Sequence, residues 1–229
     1  MANRPVYVSL NEFPFVRRVD TEFKFYGGFS VKQKRLSINS LHEAFLKNNP
    51  DRHLLEISSK SELELGVKLS AFNLQLVQPT SGKSFSVESA FQSSKVFEHG
   101  GPFTELLHKT SREAKRDERL RSSGAIIAFK FFNHTFPTEP KTYFYNWLYV
   151  NALARQSELA EEVMNYDAFT DIEFNPKKSL NCQAEAAAVF VGLTHAGLID
   201  EALDEKIFLQ FVYKKNQPSR TERNCVLDF

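Results

Sequence analysis

The stretch FSVESAFQSSKVF at residues 85–97 has the spacing of a helix with one narrow polar line. Glu88, Gln92 and Lys95 recur at i, i+4 and i+7, which places them on one side of an α-helix. Bulky apolar residues occupy the neighbouring stripe: Val87, Ala90, Phe91 and Phe97. A narrow polar line beside large apolar residues is typical of a pocket wall, although an ordinary amphipathic helix also fits this pattern.

The rest of the chain predicts more helix than strand. We expect further helices over residues 37–49, 112–123, 140–153, 157–166, 183–197 and 200–215. We expect strands over residues 4–10, 22–30, 53–59 and 125–132, and a polar loop over 167–181. Two S/T-x-x-E matches, Ser40 with Glu43 and Thr110 with Glu113, predict helix starts, and Gly197 is placed to end a helix.

These elements do not follow a β-α-β rhythm, so a parallel doubly wound sheet is not expected. The pattern instead predicts an α+β fold, a mostly helical single domain with a small β-sheet. We expect the domain to span residues 1–215, with residues 1–60 as an N-terminal β/α elaboration. The tail, residues 216–229, reads as loosely ordered.

The composition excludes several classes of protein. The chain has 229 residues and a net charge of +1, so any nucleic-acid surface must be a local patch. Cys182 and Cys225 lack the spacing of a zinc site or a disulfide framework. No stretch approaches ~18 apolar residues, and the first residues lack the apolar run of a signal peptide. We therefore expect a cytoplasmic protein that neither spans nor binds a membrane.

The residues leave two interpretations open for each candidate group. Glu88 is either a helix-start carboxylate favoured by the helix dipole, by ~0.3–1 kcal/mol, or a carboxylate at a pocket mouth. Residues 109–121 hold six Lys/Arg against three acidic residues, with a stripe formed by Lys109, Arg112, Arg116 and Arg119. That stripe is either a solvated face or a surface for phosphates.

The late loop and the aromatic helix are equally open. The loop at 167–181 carries Asp171 and Asn181 and is longer than most connections, which is typical of functional loops as well as of surface loops with Asx turns. Trp147 and its aromatic neighbours could stack on a base, but aromatic stripes on helices more often form core. The histidines show no metal-ligand spacing, and no glycine-rich phosphate loop is present. A phosphate-bearing ligand would therefore be held by side chains and helix N-termini.

Several of these motifs together resemble the NADAR (YbiA-like) superfamily. FSVESAFQSSKVF is similar to its V-E-h-x-F-Q-x-x-K helix, LSAFN at 69–73 to its L-S-N-F segment, and REAKRDERL to its EAK element. FTDIEFNPKKSLNCQA, residues 169–184, resembles its late Asp and Asn block, without the Trp-Gly after the Asp. EFKFYGGFSVKQK, residues 22–34, resembles the branch found beside DarT-type toxins. The resemblance covers most of residues 4–200.

The resemblance implies an N-glycosidase that removes ADP-ribose from guanine in DNA, and so an antitoxin against a DarT-type toxin. It implies catalytic roles for Glu88 and Asp171, with no cofactor and no metal. The ligand contacts it implies are Lys95, Gln92, Arg112, Arg116, Trp147, Asn181 and Asn73. The implied partners are ADP-ribosylated DNA, ADP-ribose and a cognate DarT-type toxin.

Two other functions remain open at this point. One is a small-molecule N-glycosidase acting on a ribosylamino-pyrimidine of riboflavin metabolism, as other YbiA-like proteins are thought to be. The other is a module that binds ADP-ribose without turnover. A binder of this kind should keep its ligand when Glu88 is replaced, whereas an enzyme should lose turnover.

Overall fold

The structure is a computed structural model, and it describes residues 1–78, 82–177 and 179–214. The strands are β1 (Ala2–Ser9), β2 (Val16–Phe23), β3 (Leu54–Glu56), β4 (Gln75–Val77), β5 (Ser84–Ser86), β6 (Lys95–Phe97), β7 (Ile126–Phe131), β8 (His134–Phe136) and β9 (Ala168–Thr170). The helices are α1 (Val31–Leu46), α2 (Glu64–Lys68), α3 (Val87–Ser93), α4 (Ser111–Arg116), α5 (Arg119–Ser122), α6 (Tyr143–Ala154), α7 (Ser157–Val163), α8 (Gln183–His195) and α9 (Glu205–Tyr213). Short 3-10 turns lie at Thr104–His108 and Glu201–Leu203.

The largest sheet joins strands that are distant in sequence. Its strand order is β2-β1-β9-β3, with antiparallel pairs except for the parallel pair of β3 and β9. The sequence predicted a loop over 167–181. Within that range the three residues Ala168–Thr170 adopt strand geometry and form β9. The pairing of β9 with β1 and β3 has one functional consequence, since it fixes the position of Asp171 immediately after it.

The helix α1 covers one face of this sheet. Its residues Ile38, Leu41 and Phe45 share one side of the helix and are buried with residues of β1 and β2. The helix begins much earlier than the sequence predicted. The side chain of Ser30 caps it by accepting from Gln33 N, so Ser40 and Glu43 lie inside the helix. The predicted strand over 22–30 is also wrong. The strand β2 ends at Phe23, and Ser30 already caps α1.

The main core lies between α6 and α8, whose side chains are buried almost all round. Helices that are apolar on every side are typical of a protein interior. The alanines of α8 keep its surface small, which allows the bulky aromatic residues of α6 to pack closely around it. The sequence prediction of an α+β, mostly helical domain is therefore confirmed. Among the described residues, no helix is long and apolar enough to cross a membrane.

Two predicted helices are interrupted in the structure. The helix predicted over 85–97 is the short α3, preceded by β5 and followed by β6, which pairs with β7. The helix predicted over 112–123 breaks at Asp117, whose side chain accepts from Arg119 N at 3.0 Å and starts a new turn. The capping box of Thr110 and Glu113 is confirmed.

The C-terminal predictions divide in a similar way. Gly197, with φ of 68°, follows α8 and confirms the predicted helix end. The helix predicted over 200–215 is divided at Asp204, which caps α9. Further elements that the sequence prediction lacked include α2, β4 and β8. The tail at 216–229 lies outside the described residues.

One close approach between α8 and the β1–β2 hairpin leads to a stability prediction. A Cβ atom at Gly192 would lie 2.5 Å from Leu10 O and 2.6 Å from Phe15 O, both backbone atoms. Gly192→Ala should therefore lower the free energy of unfolding by ~1–3 kcal/mol, the usual cost of overpacking. Urea unfolding measures it, with Gly27→Ala as the control because nothing lies within 4 Å of a Cβ there. Equal stabilities of the two variants would contradict this packing.

Candidate functional site

A cavity of about 820 Å³ opens beside α3. This volume falls within the range of about 300–1,000 Å³ typical of small-molecule sites. Its wall combines apolar rings with acidic, basic and amide side chains from distant parts of the chain. The residues that matter for its chemistry are Phe72, Glu88, Gln92, Lys95, Lys115, Phe129, Tyr145, Asp171, Asn181 and Gln183.

The polar line of α3 forms one side of the cavity. Gln92 Nε2 donates to Glu88 Oε1 at 2.8 Å, and Lys95 Nζ donates to Gln92 Oε1 at 2.7 Å. Glu88 is only 5% exposed, so its carboxylate would be costly to bury without such donors. The three side chains form one continuous hydrogen-bonded chain along the cavity.

The start of α3 is fixed by its neighbours. Ser86 caps the helix by accepting from Ser89 N at 3.0 Å. Glu88 N donates to Ala71 O at 2.8 Å, and Val87 N donates to Leu74 O at 3.0 Å. The first turn of a helix leaves backbone N–H groups without partners inside the helix, and residues 71–74 accept from two of them. The direction of the Glu88 side chain is therefore set by a bonded backbone.

Gln183 connects this turn to the main sheet. No sequence pattern identified it as a residue of the site. Its Oε1 accepts from Ala71 N at 2.7 Å, and its Nε2 donates to Ile57 O at 2.7 Å. Ala71 is thus held at its amide by Gln183 and at its carbonyl by Glu88 N. One amide side chain links α8, the segment after β3 and the segment that supports α3. The one sequence feature that could have indicated this role for Gln183 is that it is a polar residue at the start of an apolar helix.

Asp171 also lines the cavity, from the segment that follows β9. Its Oδ1 accepts from Glu173 N at 3.0 Å and from Phe174 N at 3.1 Å. Burial and the nearby Glu56 raise the pKa of this carboxyl to about 8, against the lowering effect of the two N–H donors. A protonated Asp171 can donate a hydrogen bond near neutral pH, which an ionised carboxylate cannot do.

The buried Glu56 bonds to the residues on either side of Asp171. Its Oε2 accepts from Thr170 Oγ1 at 2.6 Å, and its Oε1 accepts from Ile172 N at 2.9 Å. Burial raises the pKa of Glu56 as well. His42 Nε2 lies 2.8 Å from the same Thr170 hydroxyl, and burial lowers the pKa of His42 to about 4. A chain of polar side chains therefore extends behind Asp171 to α1.

Two lysines bring positive charge to the cavity. Burial lowers the pKa of Lys95 to about 8, although Glu88 opposes this shift. Lys115 Nζ lies 3.4 Å from Glu88 Oε1 and 4.9 Å from the centre of the Phe72 ring. The Lys115 side chain is 56% exposed and lines the cavity, so its ammonium group is accessible to a ligand there.

The predicted ligand contacts Arg112 and Arg116 are not among the described residues that line the cavity. Both are exposed on α4, whereas Lys115 of the same helix faces Glu88. The basic stripe was assigned to the wrong side because packing of Ala114 into the core sets the rotation of α4. Arg119, also in that stripe, is bound by Asp117 and Glu105.

Trp147 and Asn73 also lie outside the cavity wall formed by the described residues. Trp147 is 7% exposed, packs on Phe136 and donates from Nε1 to Leu203 O at 2.9 Å, so it is a core residue. Asn73 Nδ2 donates to Val67 O at 2.9 Å and to Ser70 Oγ at 3.0 Å, which stabilises the turn before β4. For both residues the structure shows a packing or turn role instead of the predicted ligand contact.

Asn181, by contrast, lines the cavity as the late motif suggested. Its Oδ1 is buried and has no hydrogen-bond partner among the described residues. A buried amide oxygen without a donor is unfavourable, so this atom is suited to accept from a bound ligand. Within the described part of the chain, no group of three or more His, Cys, Asp or Glu side chains could hold a metal ion.

The fold and the cavity together define an α+β domain in which carboxyl groups, including Glu88 and Asp171, and lysines, including Lys95 and Lys115, surround one ligand-sized site. A family model of DarT1-associated NADAR antitoxins matches residues 2–222. The chain belongs to this family. No curated protein matches the chain.

The raised pKa of Asp171 leads to a prediction about stability and pH. The folded protein binds a proton here between the ordinary value of 3.8 and about 8, so this group lowers the free energy of unfolding as pH rises through that interval. Asp171→Asn keeps the acceptor for Glu173 N and Phe174 N but cannot ionise. The variant should therefore gain melting temperature relative to the wild type between pH 5 and 8. An offset that does not change with pH would contradict burial of this carboxyl.

Proposed function

We propose that this chain is an N-glycosidase that removes ADP-ribose from guanine bases in DNA and thereby counteracts a DarT1-type toxin. Membership of a family of DarT1-associated antitoxins supports the biological role. The observation that carries the chemical assignment is the buried Glu88 carboxylate on the wall of a cavity of about 820 Å³. The cavity is large enough for the sugar and pyrophosphate of such a ligand.

The reaction breaks the bond between the ribose carbon and the guanine nitrogen. The bonding electrons go to the nitrogen, which takes a proton, and positive charge develops on the ribose. Glu88, fixed by Gln92 and by its own backbone N–H, is placed to stabilise that charge or to direct a water to the ribose carbon. The water supplies the oxygen of the new ribose hydroxyl.

Asp171 is assigned to the departing base or to the ribose hydroxyls. With a pKa of about 8, its carboxyl holds a proton near neutral pH and can donate it to the leaving nitrogen. Two carboxyl groups in different protonation states are a common arrangement in glycoside hydrolysis. Asn181, whose Oδ1 has no hydrogen-bond partner among the described residues, is suited to accept from a ribose hydroxyl.

The diphosphate is assigned to the two lysines. Lys95 and Lys115 both line the cavity, the Lys115 ammonium lies 3.4 Å from Glu88 Oε1, and Phe72 offers a ring beside Lys115. Arg112 and Arg116 face solvent on α4 and are suited to DNA phosphates beyond the cavity. No cofactor and no metal enter this proposal.

The first test uses a single-stranded oligonucleotide that carries ADP-ribosylated guanine. Glu88→Gln should lower the single-turnover rate of ADP-ribose release by ~100-fold or more, the usual loss when an electrostatic stabiliser is removed. Glu64→Gln is the control, because Glu64 also lies in the first turn of a helix and pairs with a lysine, but stands outside the cavity wall. Near-normal release by Glu88→Gln would return Glu88 to the role of a helix-start residue.

The same assay separates the proposed function from its alternatives. Wild-type protein that binds ADP-ribose but releases none from the oligonucleotide would be a binding module. Wild-type protein that cleaves only a ribosylamino-pyrimidine would be a metabolic N-glycosidase. Either result would contradict the proposed activity on DNA.

The second test compares the cationic residues. On ADP-ribosylated guanosine without flanking nucleotides, Lys115→Ala should raise KM roughly tenfold, since an exposed charge contributes less than a buried one. Arg112→Ala combined with Arg116→Ala should leave that KM unchanged and raise KM only for the oligonucleotide, with weaker salt dependence. Steady-state kinetics at several salt concentrations checks both. If the arginine double variant raises the KM for ADP-ribosylated guanosine and Lys115→Ala does not, the diphosphate binds near the exposed arginines of α4 instead.

A further inference from the structure

The segment between β2 and α1 exposes aromatic and basic side chains together. Residues 24–35, KFYGGFSVKQKR, contain four Lys/Arg and no Asp/Glu, although the whole chain has a net charge of only +1. Phe29 is 100% exposed and Phe25 is 38% exposed. We call this the aromatic–basic surface, and its members are Lys24, Phe25, Tyr26, Phe29, Lys32, Lys34 and Arg35.

Folding does not account for these exposed rings. Burying a phenylalanine side chain contributes ~1.5–3 kcal/mol, and Phe29 contributes none of this to the described domain. The apolar exposure continues onto α1, where Val31 is 45% exposed and Leu36 is 41% exposed. Contiguous apolar groups at a surface are typical of an interaction site.

The rings are presented by a segment with defined contacts. Ser37 Oγ accepts from Tyr26 N at 2.9 Å and donates to Tyr26 O at 3.3 Å, which ties the segment to α1. Phe25 packs edge-on against Phe23, with ring centres 6.2 Å apart. Lys24 Nζ lies 4.9 Å from the centre of the Tyr26 ring. Cations and rings therefore alternate along one short surface.

We propose that the aromatic–basic surface binds the single-stranded DNA that carries the modified base. Exposed aromatic rings stack on unpaired bases with ~1–3 kcal/mol per base, and interleaved lysines and arginines neutralise the phosphates. The absence of acidic residues in 24–35 gives the surface a charge complementary to a polyanion. The identity of the modified base rests on the proposed function, but binding of an unmodified strand does not.

The helix α1 links this surface to residues that support the cavity wall. It leads from Val31 to His42, which contacts Thr170, the residue before Asp171 in the cavity wall.

The test measures binding of an unmodified, fluorescently labelled single strand by anisotropy at several salt concentrations. Phe29→Ala should weaken binding about fivefold or more, the loss of one stacked base. Lys32→Ala combined with Arg35→Ala should lower the salt slope by ~1.4, or ~0.7 for each phosphate contact. The controls are Leu63→Ala and Lys68→Ala, because Leu63 is 48% exposed and the Lys68 side chain 55% exposed away from this surface.

A duplex of the same sequence is the second arm, since paired bases cannot stack on Phe29. Phe29→Ala should change duplex binding no more than the controls do. Variants that bind the single strand as the controls do would overturn the proposal, and so would an equal loss on duplex. Wild-type binding to anionic phospholipid vesicles but not to DNA would also overturn it.

Activity measurements distinguish this proposal from the proposed function. The variants of the aromatic–basic surface should lower kcat/KM for a modified oligonucleotide and leave kcat/KM for ADP-ribosylated guanosine unchanged. If the wild type releases no ADP-ribose but the surface variants bind the single strand more weakly, the proposed function is wrong and the proposed DNA-binding surface is supported. If the wild type is active and the variants bind as the controls do, the surface fails alone.

Discussion

The burial of the Glu88 carboxylate is the constraint on which the rest of the cavity depends. A carboxylate that is 5% exposed needs donors, and Gln92 and Lys115 approach its Oε1 at 2.8 and 3.4 Å. The first turn of α3 is bonded to residues 71–74, and Ala71 is bonded in turn to Gln183, so the backbone that carries Glu88 and Gln92 is held in place. Much of the cavity wall therefore serves to hold one charge in one direction, which is what electrostatic stabilisation of a transition state requires.

Asp171, elsewhere in the cavity wall, is likewise held by backbone donors, the N–H groups of Glu173 and Phe174. Asp171 lies beside the buried Glu56, and both burial and this neighbour raise the pKa of Asp171 to about 8. Glu56 bonds to the side chain of Thr170 and to the backbone of Ile172, so the group that perturbs the carboxyl also holds both of its neighbours. The site thus combines a carboxylate supported by donors with a carboxyl that retains its proton, and the fold creates both environments.

The sequence was most informative where the relevant contacts are local. Glu88, Gln92 and Lys95 lie within a short stretch, so helical spacing alone predicted their common line. Gln183 could not be predicted, because its partner Ala71 is 112 residues away. Arg112 and Arg116 were chosen from a charge stripe, but tertiary packing of Ala114 decides which side of α4 faces the cavity. The family motif suggested a ligand contact for Trp147. In the structure its side chain packs against aromatic neighbours such as Phe136 in the core. The α+β fold class followed from the order of elements, while short strands such as β9 depend on partners distant in sequence.

The most direct measurement is a crystal structure of the Glu88→Gln variant bound to ADP-ribosylated guanosine. We expect the ribose carbon attached to the guanine nitrogen to lie about 3–4 Å from the substituted side chain, a distance suited to reaction. We also expect the diphosphate near Lys95 and Lys115 and the guanine or a ribose hydroxyl near Asp171. A ribose bound away from α3, with no ligand atom in contact with position 88, would contradict the assignment of this cavity as an N-glycosidase site.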